Sequence, residues 1–279
     1  MSWWAIDVRT AAERRDRLSA WLVARTGQAV EERDDGTLVT FAPDEATADA
    51  LEAELGQRID PVAETRRRVL EPVDWPTRWR DGLAARHIGR LTVVPSWLPE
   101  AATTDPNTVV LDPESAFGSG EHGSTRVALT LLERLLQPGQ LVLDLGSGSG
   151  ILAIAAVKLG AVRAVGIETD VEANRVAIRN AARNGVGGKV EFLEGDAGLL
   201  APLVGPADVI LSNILRVANT ALLPAITRAT VAGGLAIFSG MEQAEAREFR
   251  QTLGGAGYAV VQEAVDAGWW GVAARPSRP

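Results

Sequence analysis

The sequence predicts an α/β protein: a doubly wound, mostly parallel sheet of seven strands that ends in an antiparallel hairpin, preceded by a small α+β domain. Three observations carry this expectation. Between residues 141 and 254, strand-like apolar runs alternate with helix-like ones, the pattern of parallel strands joined by crossover helices. Beyond them, the runs Tyr258–Ala264 and Trp269–Ala274 are parted by a short turn containing Asp266-Ala267-Gly268, so one of the last two strands must be antiparallel. At the other end, shorter elements in the order β-α-β-β-α surround the turn Asp34-Asp35-Gly36.

Residues 3–8 read as the first strand, and a helix follows from about Thr10, with Leu18, Trp21 and Leu22 spaced to share one face. A strand at 29–33 and a firmer one at 37–41 flank the Asp-Gly turn, and a second helix starts after Pro43 and runs to about Leu55. An element around Ile59–Leu70 would complete a ferredoxin-like unit. Its run Arg66-Arg67-Arg68 reads as a solvated charged face. The expected organisation is therefore an N-terminal domain over 1–65, a linker over 66–104 and a second domain over 105–279. Glu71–Asp105 holds four prolines and three tryptophans without a sustained period, as befits a connector that packs onto something. Further on, strands are expected at 141–145, 163–168, 189–194, 207–213 and 234–239, with helices at 150–159, 171–184, 217–230 and 242–254.

A chain of 279 residues suits two domains of ordinary size. Hydrophobic residues at 46% and charged residues at 23% are the balance of a globular protein. No apolar run reaches the roughly 18 residues of a membrane span, and Met1–Asp7 lacks a basic stretch followed by an apolar block. A cytoplasmic protein without membrane contact is expected. With no cysteine and two histidines, His87 and His122, neither a disulfide framework nor a Cys/His zinc site can be built. The net charge of −8 argues against direct nucleic-acid binding and suits a basic protein partner.

The chemistry concentrates on one edge of the predicted sheet. Leu141–Leu145 runs into Gly146-Ser147-Gly148-Ser149-Gly150, with a helix opening at Ile151. Such a turn brings backbone N–H groups and a helix N-terminus against a polar ligand. A dinucleotide fingerprint would need a third glycine where Ile151 stands, which disfavours NAD. Glu168 ends the next strand about twenty residues on, where a carboxylate can accept from both ribose hydroxyls. Asp196 follows the strand after that, placed to meet an adenine amino group. Asp144, Glu168 and Asp196 thus share the C-terminal edge where ligands bind. Asn213 arrives there on a fourth strand, either to cap the following helix or to accept a hydrogen bond from a substrate amine. The tryptophans Trp3, Trp4, Trp21, Trp269 and Trp270 read as core residues.

Four stretches together resemble the ribosomal protein L11 methyltransferase family: Phe117-Gly118-Ser119-Gly120-Glu121-His122-Gly123-Ser124-Thr125, Asp144–Leu152, Ile167-Glu168 and Ser212-Asn213-Ile214-Leu215. The likeness continues upstream through Asp74-Trp75 and Trp79-Arg80. It implies a protein N-methyltransferase that uses S-adenosylmethionine, with ribosomal protein L11 as partner, lysine or N-terminal amines as acceptors and a substrate-recognition role for the N-terminal domain. By the resemblance Thr125, Gly146, Glu168 and Asn213 fall on cofactor-binding positions, with Phe117 and His122 in the loop over the methionine end. Asp144, Gly148 and Asp196 complete the expected cofactor set, and Asn213 and His122 are the candidate catalytic residues. The family loop more often reads Thr-Gly-Thr-His-Pro-Thr-Thr, so Ser119, Glu121, Gly123 and Ser124 are departures. Gly123 in place of proline predicts a more mobile loop, and Arg216, just past Asn213, is placed to repel a protonated lysine. A small-molecule methyltransferase and a non-catalytic cofactor-binding module remain as rival readings.

Overall fold

The structure, a computed structural model, describes residues 3–26, 30–33, 35–56, 64–69, 84–103, 105–112, 118 and 120–277. It divides into two compact units, Met1–Asp81 and Gly82–Pro279. No helix among the described residues is long and apolar enough to cross a membrane.

In the first unit, β1 (Trp4–Arg9), α1 (Ala12–Thr26), β2 (Glu31–Glu32), β3 (Leu38–Ala42), α2 (Glu45–Glu54) and β4 (Glu64–Val69) follow one another. The sheet order β2-β3-β1-β4, with all pairs antiparallel, is the ferredoxin-like arrangement. Ile6, Val8 and Leu38 on the strands meet Leu18, Leu22 and Leu51 on the helices. Asp44 starts α2 by accepting from the Thr47 N–H at 2.8 Å. The arginine run is not a solvated face throughout. Period-two alternation puts Arg67 opposite Ile6, and its guanidinium pairs with Asp49 and lies 5.1 Å above the Trp4 ring.

The second unit begins inside the stretch expected as a linker. β5 (Arg86–Ile88), β6 (Leu91–Pro95) and β7 (Thr108–Leu111) form a three-stranded sheet. The mixture of prolines and tryptophans hid these short strands, just as β4 occupies residues 64–69 within the first unit. Then come α3 (Gly123–Leu135), β8 (Leu141–Leu145), α4 (Ile151–Lys158), β9 (Arg163–Glu168), α5 (Val171–Arg183), β10 (Val190–Glu194), α6 (Ala197–Val204), β11 (Ala207–Asn213), α7 (Arg216–Ala229), β12 (Thr230–Glu242), α8 (Ala246–Gly255), β13 (Tyr258–Asp266) and β14 (Trp269–Pro276). The seven strands stand in the order β10-β9-β8-β11-β12-β14-β13, parallel except for β14, which is antiparallel to both neighbours. One core packs α3, α4 and α5 on one face, and a second packs α6, α7 and α8 on the other. The central strands are therefore buried on both sides, which is why they read as unbroken apolar runs.

The sheet order reverses at β8, with β9 on one side and β11 on the other. A crevice opens at such a switch point beyond the C-terminal strand ends. The turns after β8, β9 and β11 all meet there.

Candidate active site

The turn after β8 is held by close approach. Gly146 has φ +71°, and a Cβ there would lie 2.7 Å from Ile214 Cγ2. The Gly148 N–H donates to Glu168 Oε2 at 3.1 Å, while Glu168 Oε1 accepts from the N–H groups of Thr169 at 2.8 Å and Asp170 at 3.1 Å. Asp144 lies beneath the turn, fully buried. Its Oδ2 accepts from the Ala153 N–H at 3.1 Å, and its Oδ1 has no partner. Burial pushes its carboxyl up to about 7, helped by the nearby charge of Glu168 and opposed by the Ala153 N–H.

Asn213 ends β11 beside Thr125. Its Nδ2 donates to Thr125 Oγ1 at 3.2 Å, and its buried Oδ1 is left without a partner. The loop carrying it is tied down by Asn219, fully buried on α7, which donates to the carbonyls of Ile214 and Ser239 at 2.9 Å each and accepts from Ser212 Oγ at 2.7 Å. Ser239 Oγ donates to the Ser124 carbonyl at 2.8 Å, joining β12 to the start of α3. At Gly240, φ +83°, a Cβ would sit 2.2 Å from the Ile214 carbonyl oxygen, so no other residue lets these backbones pass.

His122 precedes α3. Its Nδ1 is 2.7 Å from Ser124 Oγ, and its ring lies 4.2 Å from that of Trp269 at 56°. Burial lowers its pKa, and the charge of Arg126 lowers it further. Gly123 is buried at the first position of α3, where a Cβ would come 2.5 Å from Trp269 Cδ1 and 2.9 Å from the Asp266 carbonyl. The missing side chain makes room for Trp269. The loop is also held at its flanks, where Ser149 Oγ donates to the Gly118 carbonyl at 2.6 Å and Arg86 grips Glu121 with Nε–O distances of 3.0 Å.

These parts enclose a cavity of about 490 Å³, lined by His122, Ser124, Gly146, Gly148, Glu168, Thr169, Asn213, Ile214, Leu215, Gly240 and Trp269. Of the residues singled out from sequence, His122, Gly146, Gly148, Glu168 and Asn213 line it directly. Thr125 and Asp144 are not in the lining: Thr125 accepts from the Asn213 amide and Asp144 from the Ala153 N–H of α4. Asp196 is not part of the lining; it is exposed and caps α6 by accepting from the Leu199 N–H at 3.2 Å. Phe117, like Trp75 and Trp79, lies outside the described residues. Arg216 does not face an incoming amine: it is bound to Glu245 at 3.0 Å and Glu248 at 2.6 Å. Trp270 is core, 1% exposed, but Trp269 is a cavity wall. Sequence reading also missed Asn219, Ser239 and Gly240, which carry no local motif. No group of three or more His, Asp or Glu side chains among the described residues is arranged to hold a metal ion.

The family profile described as Ribosomal protein L11 methyltransferase (PrmA) matches residues 18–276. The chain belongs to this family. Among its relatives, the ribosomal protein L11 methyltransferase of Pelotomaculum thermopropionicum is 38% identical over 216 residues, covering 77% of this chain and 70% of its own length. That of Synechococcus sp. is 33% identical over 290 residues, covering 96% and 95%. Among solved structures, the ribosomal protein L11 methylase of Lactobacillus delbrueckii subsp. bulgaricus matches with a TM-score of 0.63 at 30% identity, covering 70% of this chain and all of that one. Membership in the L11 methyltransferase family makes the cavity the place to look for the transfer chemistry.

Proposed function

We propose that this protein transfers methyl groups from S-adenosylmethionine to lysine and N-terminal amino nitrogens of ribosomal protein L11. The observation that carries the reading is the Asn213 side-chain carbonyl, buried and unpartnered in the wall of the cavity while its NH2 is engaged by Thr125. A buried acceptor without a partner is costly. An amine donor supplied by the substrate removes that cost and is aimed by it.

The residues present suit the cofactor. The cavity falls in the size range of small-molecule sites, roughly 300–1,000 Å³, and presents the Gly146–Gly148 turn beside the Glu168 carboxylate. Glu168 would accept from the ribose hydroxyls, and the turn, whose Gly146, Ser147 and Gly148 N–H groups bond Ile167 and Glu168, would hold that carboxylate in place. Asp144, whose Oδ1 is also unpartnered, ties the end of β8 to the first turn of α4. Asp196, two residues past the adjacent strand, would meet the adenine amino group only with its second carboxylate oxygen, since Oδ1 caps α6. The bound sulfonium supplies an electrophilic methyl, so no covalent enzyme intermediate is required.

The protein's own task is then to deliver an uncharged amine and hold it in line. Free lysine has a pKa near 10.4 and an α-amine one near 8, so the ammonium must give its proton to solvent water before the cavity closes around the nucleophile. Desolvation within the cavity lowers an ammonium pKa, and the Asn213 carbonyl would accept from one of the two N–H groups of the neutral amine and so orient its lone pair. His122, biased toward its neutral form, adds no positive charge beside the arriving amine. Incubating the protein with L11 and S-adenosylmethionine, followed by mass spectrometry of L11, tests the reading. Methylated amino nitrogens are expected; unmodified L11 in the presence of enzyme that binds the cofactor would overturn it.

A further inference from the structure

We propose that the exposed apolar face of α6 and the start of α7 docks the amine-bearing segment of the protein substrate at the mouth of the cavity. The inference rests on the methyltransferase reading above and names a surface for it. Among the described residues, the four most exposed large apolar side chains are Leu203 at 79%, Leu215 at 75%, Leu199 at 72% and Val217 at 70%. All four fall on these two neighbouring helices or the residue that opens α7. Leu199 and Leu203 are four residues apart and so share one side of α6. On α7 the exposed positions Val217, Ala221 and Pro224 repeat at helical spacing. The two helices touch, since a Cβ at Gly198 would lie 3.4 Å from Leu222 Cδ2.

Charge and position select the occupant. α6 contains no charged residue at all, and Glu194 and Asp196 lie at its start. On the α7 side, Arg216 is neutralised by Glu245 and Glu248. An apolar strip edged by carboxylates fits a basic segment that also carries apolar side chains, and the net charge of −8 favours the same partner at longer range. Leu215 belongs both to this strip and to the cavity wall. A segment that reaches Leu215 therefore lies against the wall that also carries Asn213. A second copy of the chain seated there would cover the entrance instead, which makes the substrate the better occupant.

The double variant Leu199→Gln/Leu203→Gln tests this away from the cavity lining, with Leu199→Met/Leu203→Met as the apolar control. Steady-state methylation of intact L11, calorimetric titration with S-adenosylmethionine and light scattering of the free enzyme are compared. The glutamine variant should raise KM for L11 about tenfold or more, from the lost burial of two leucines, with kcat and cofactor affinity unchanged. The methionine variant should keep the wild-type KM. An unchanged KM in the glutamine variant, a loss of cofactor affinity, or a wild-type dimer that the glutamines dissociate would each overturn the docking surface. A wild-type enzyme that leaves L11 unmodified overturns the underlying reading first and the surface with it.

Discussion

Asn213 and Asp144 both bring a buried oxygen without a partner to the turn region, but their physics differs. For Asn213 the amide rests against the Thr125 hydroxyl and its oxygen is otherwise unpartnered. Asn213→Ala should lower kcat by about 10²-fold, a usual loss when one positioning contact disappears, with a smaller effect on cofactor affinity. Asn213→Asp keeps an acceptor but adds a negative charge that holds the amine as ammonium, so the pH–rate profile should move to higher pH. If the residue were only a helix cap, Asp would serve as well as Asn and turnover would survive the alanine. Measuring kcat against pH beside melting temperature separates these accounts. Glu168→Ala should weaken S-adenosylmethionine binding by about 1.5–3 kcal/mol, the loss expected for hydrogen bonds to a charged group; unchanged calorimetric affinity would remove it from the ribose site. For Asp144 the pKa is raised to about 7 from an ordinary 3.8. The folded protein thus holds a proton that the unfolded chain has released. This stabilising contribution is complete below about pH 4 and is lost as pH rises toward 7, with a slope near 1.4 kcal/mol per pH unit. In cofactor-free protein, Asp144→Asn should lack that decline, so its stability relative to wild type should rise between pH 4 and 7 in urea titrations.

At the scale of elements, the site depends on backbones that touch where the sequence shows no neighbour. β12 crosses the β11–α7 loop at Gly240, and β14 brings Trp269 against the first turn of α3 at Gly123. Gly240→Ala would push the Ile214 backbone away and move Asn213 with it. We expect a loss of kcat together with about 1–3 kcal/mol of stability, the cost of an overpacked contact. Gly123→Ala should separate Trp269 from His122; a shift in tryptophan fluorescence accompanied by a lower melting temperature would report it, and unaltered spectra would count against the close packing. A third joint is made by α5, whose Asn180 and Asn184 hydrogen-bond the backbone of residues 110–112 through both ends of their amides. It anchors the chain at the end of β7.

For the molecule as a whole, each unit has its own core, and both cores flanking the large sheet lie entirely within Gly82–Pro279. A fragment of residues 82–279 should therefore fold and bind S-adenosylmethionine with native affinity. If the ferredoxin-like unit recognises the partner, that fragment should fail to methylate intact L11. Full-rate methylation by the fragment would assign recognition to the larger unit alone.

Much of this protein can be read from one dimension because its signals are local. Alternating apolar runs and crossover helices placed the parallel strands, since a strand buried on two faces has to be apolar throughout. The glycine turn, Glu168 and Asn213 were legible because each closes a strand at a topologically defined edge. The resemblance carried by the Phe117–Thr125 loop supplied the family. Short strands β5 to β7 escaped because a segment of three to five residues leaves too few turns of its period to stand out among prolines and tryptophans. The roles of Trp269, Gly123, Asn219 and Gly240 were decided only in three dimensions. Each depends on contact with a segment far away in sequence or on the far side of the sheet, and steric exclusion between remote backbones leaves no periodic trace. Arg216 makes the same point with charge: its sequence position suggests repulsion of a lysine, yet two glutamates from the following helix and its preceding turn take up its guanidinium.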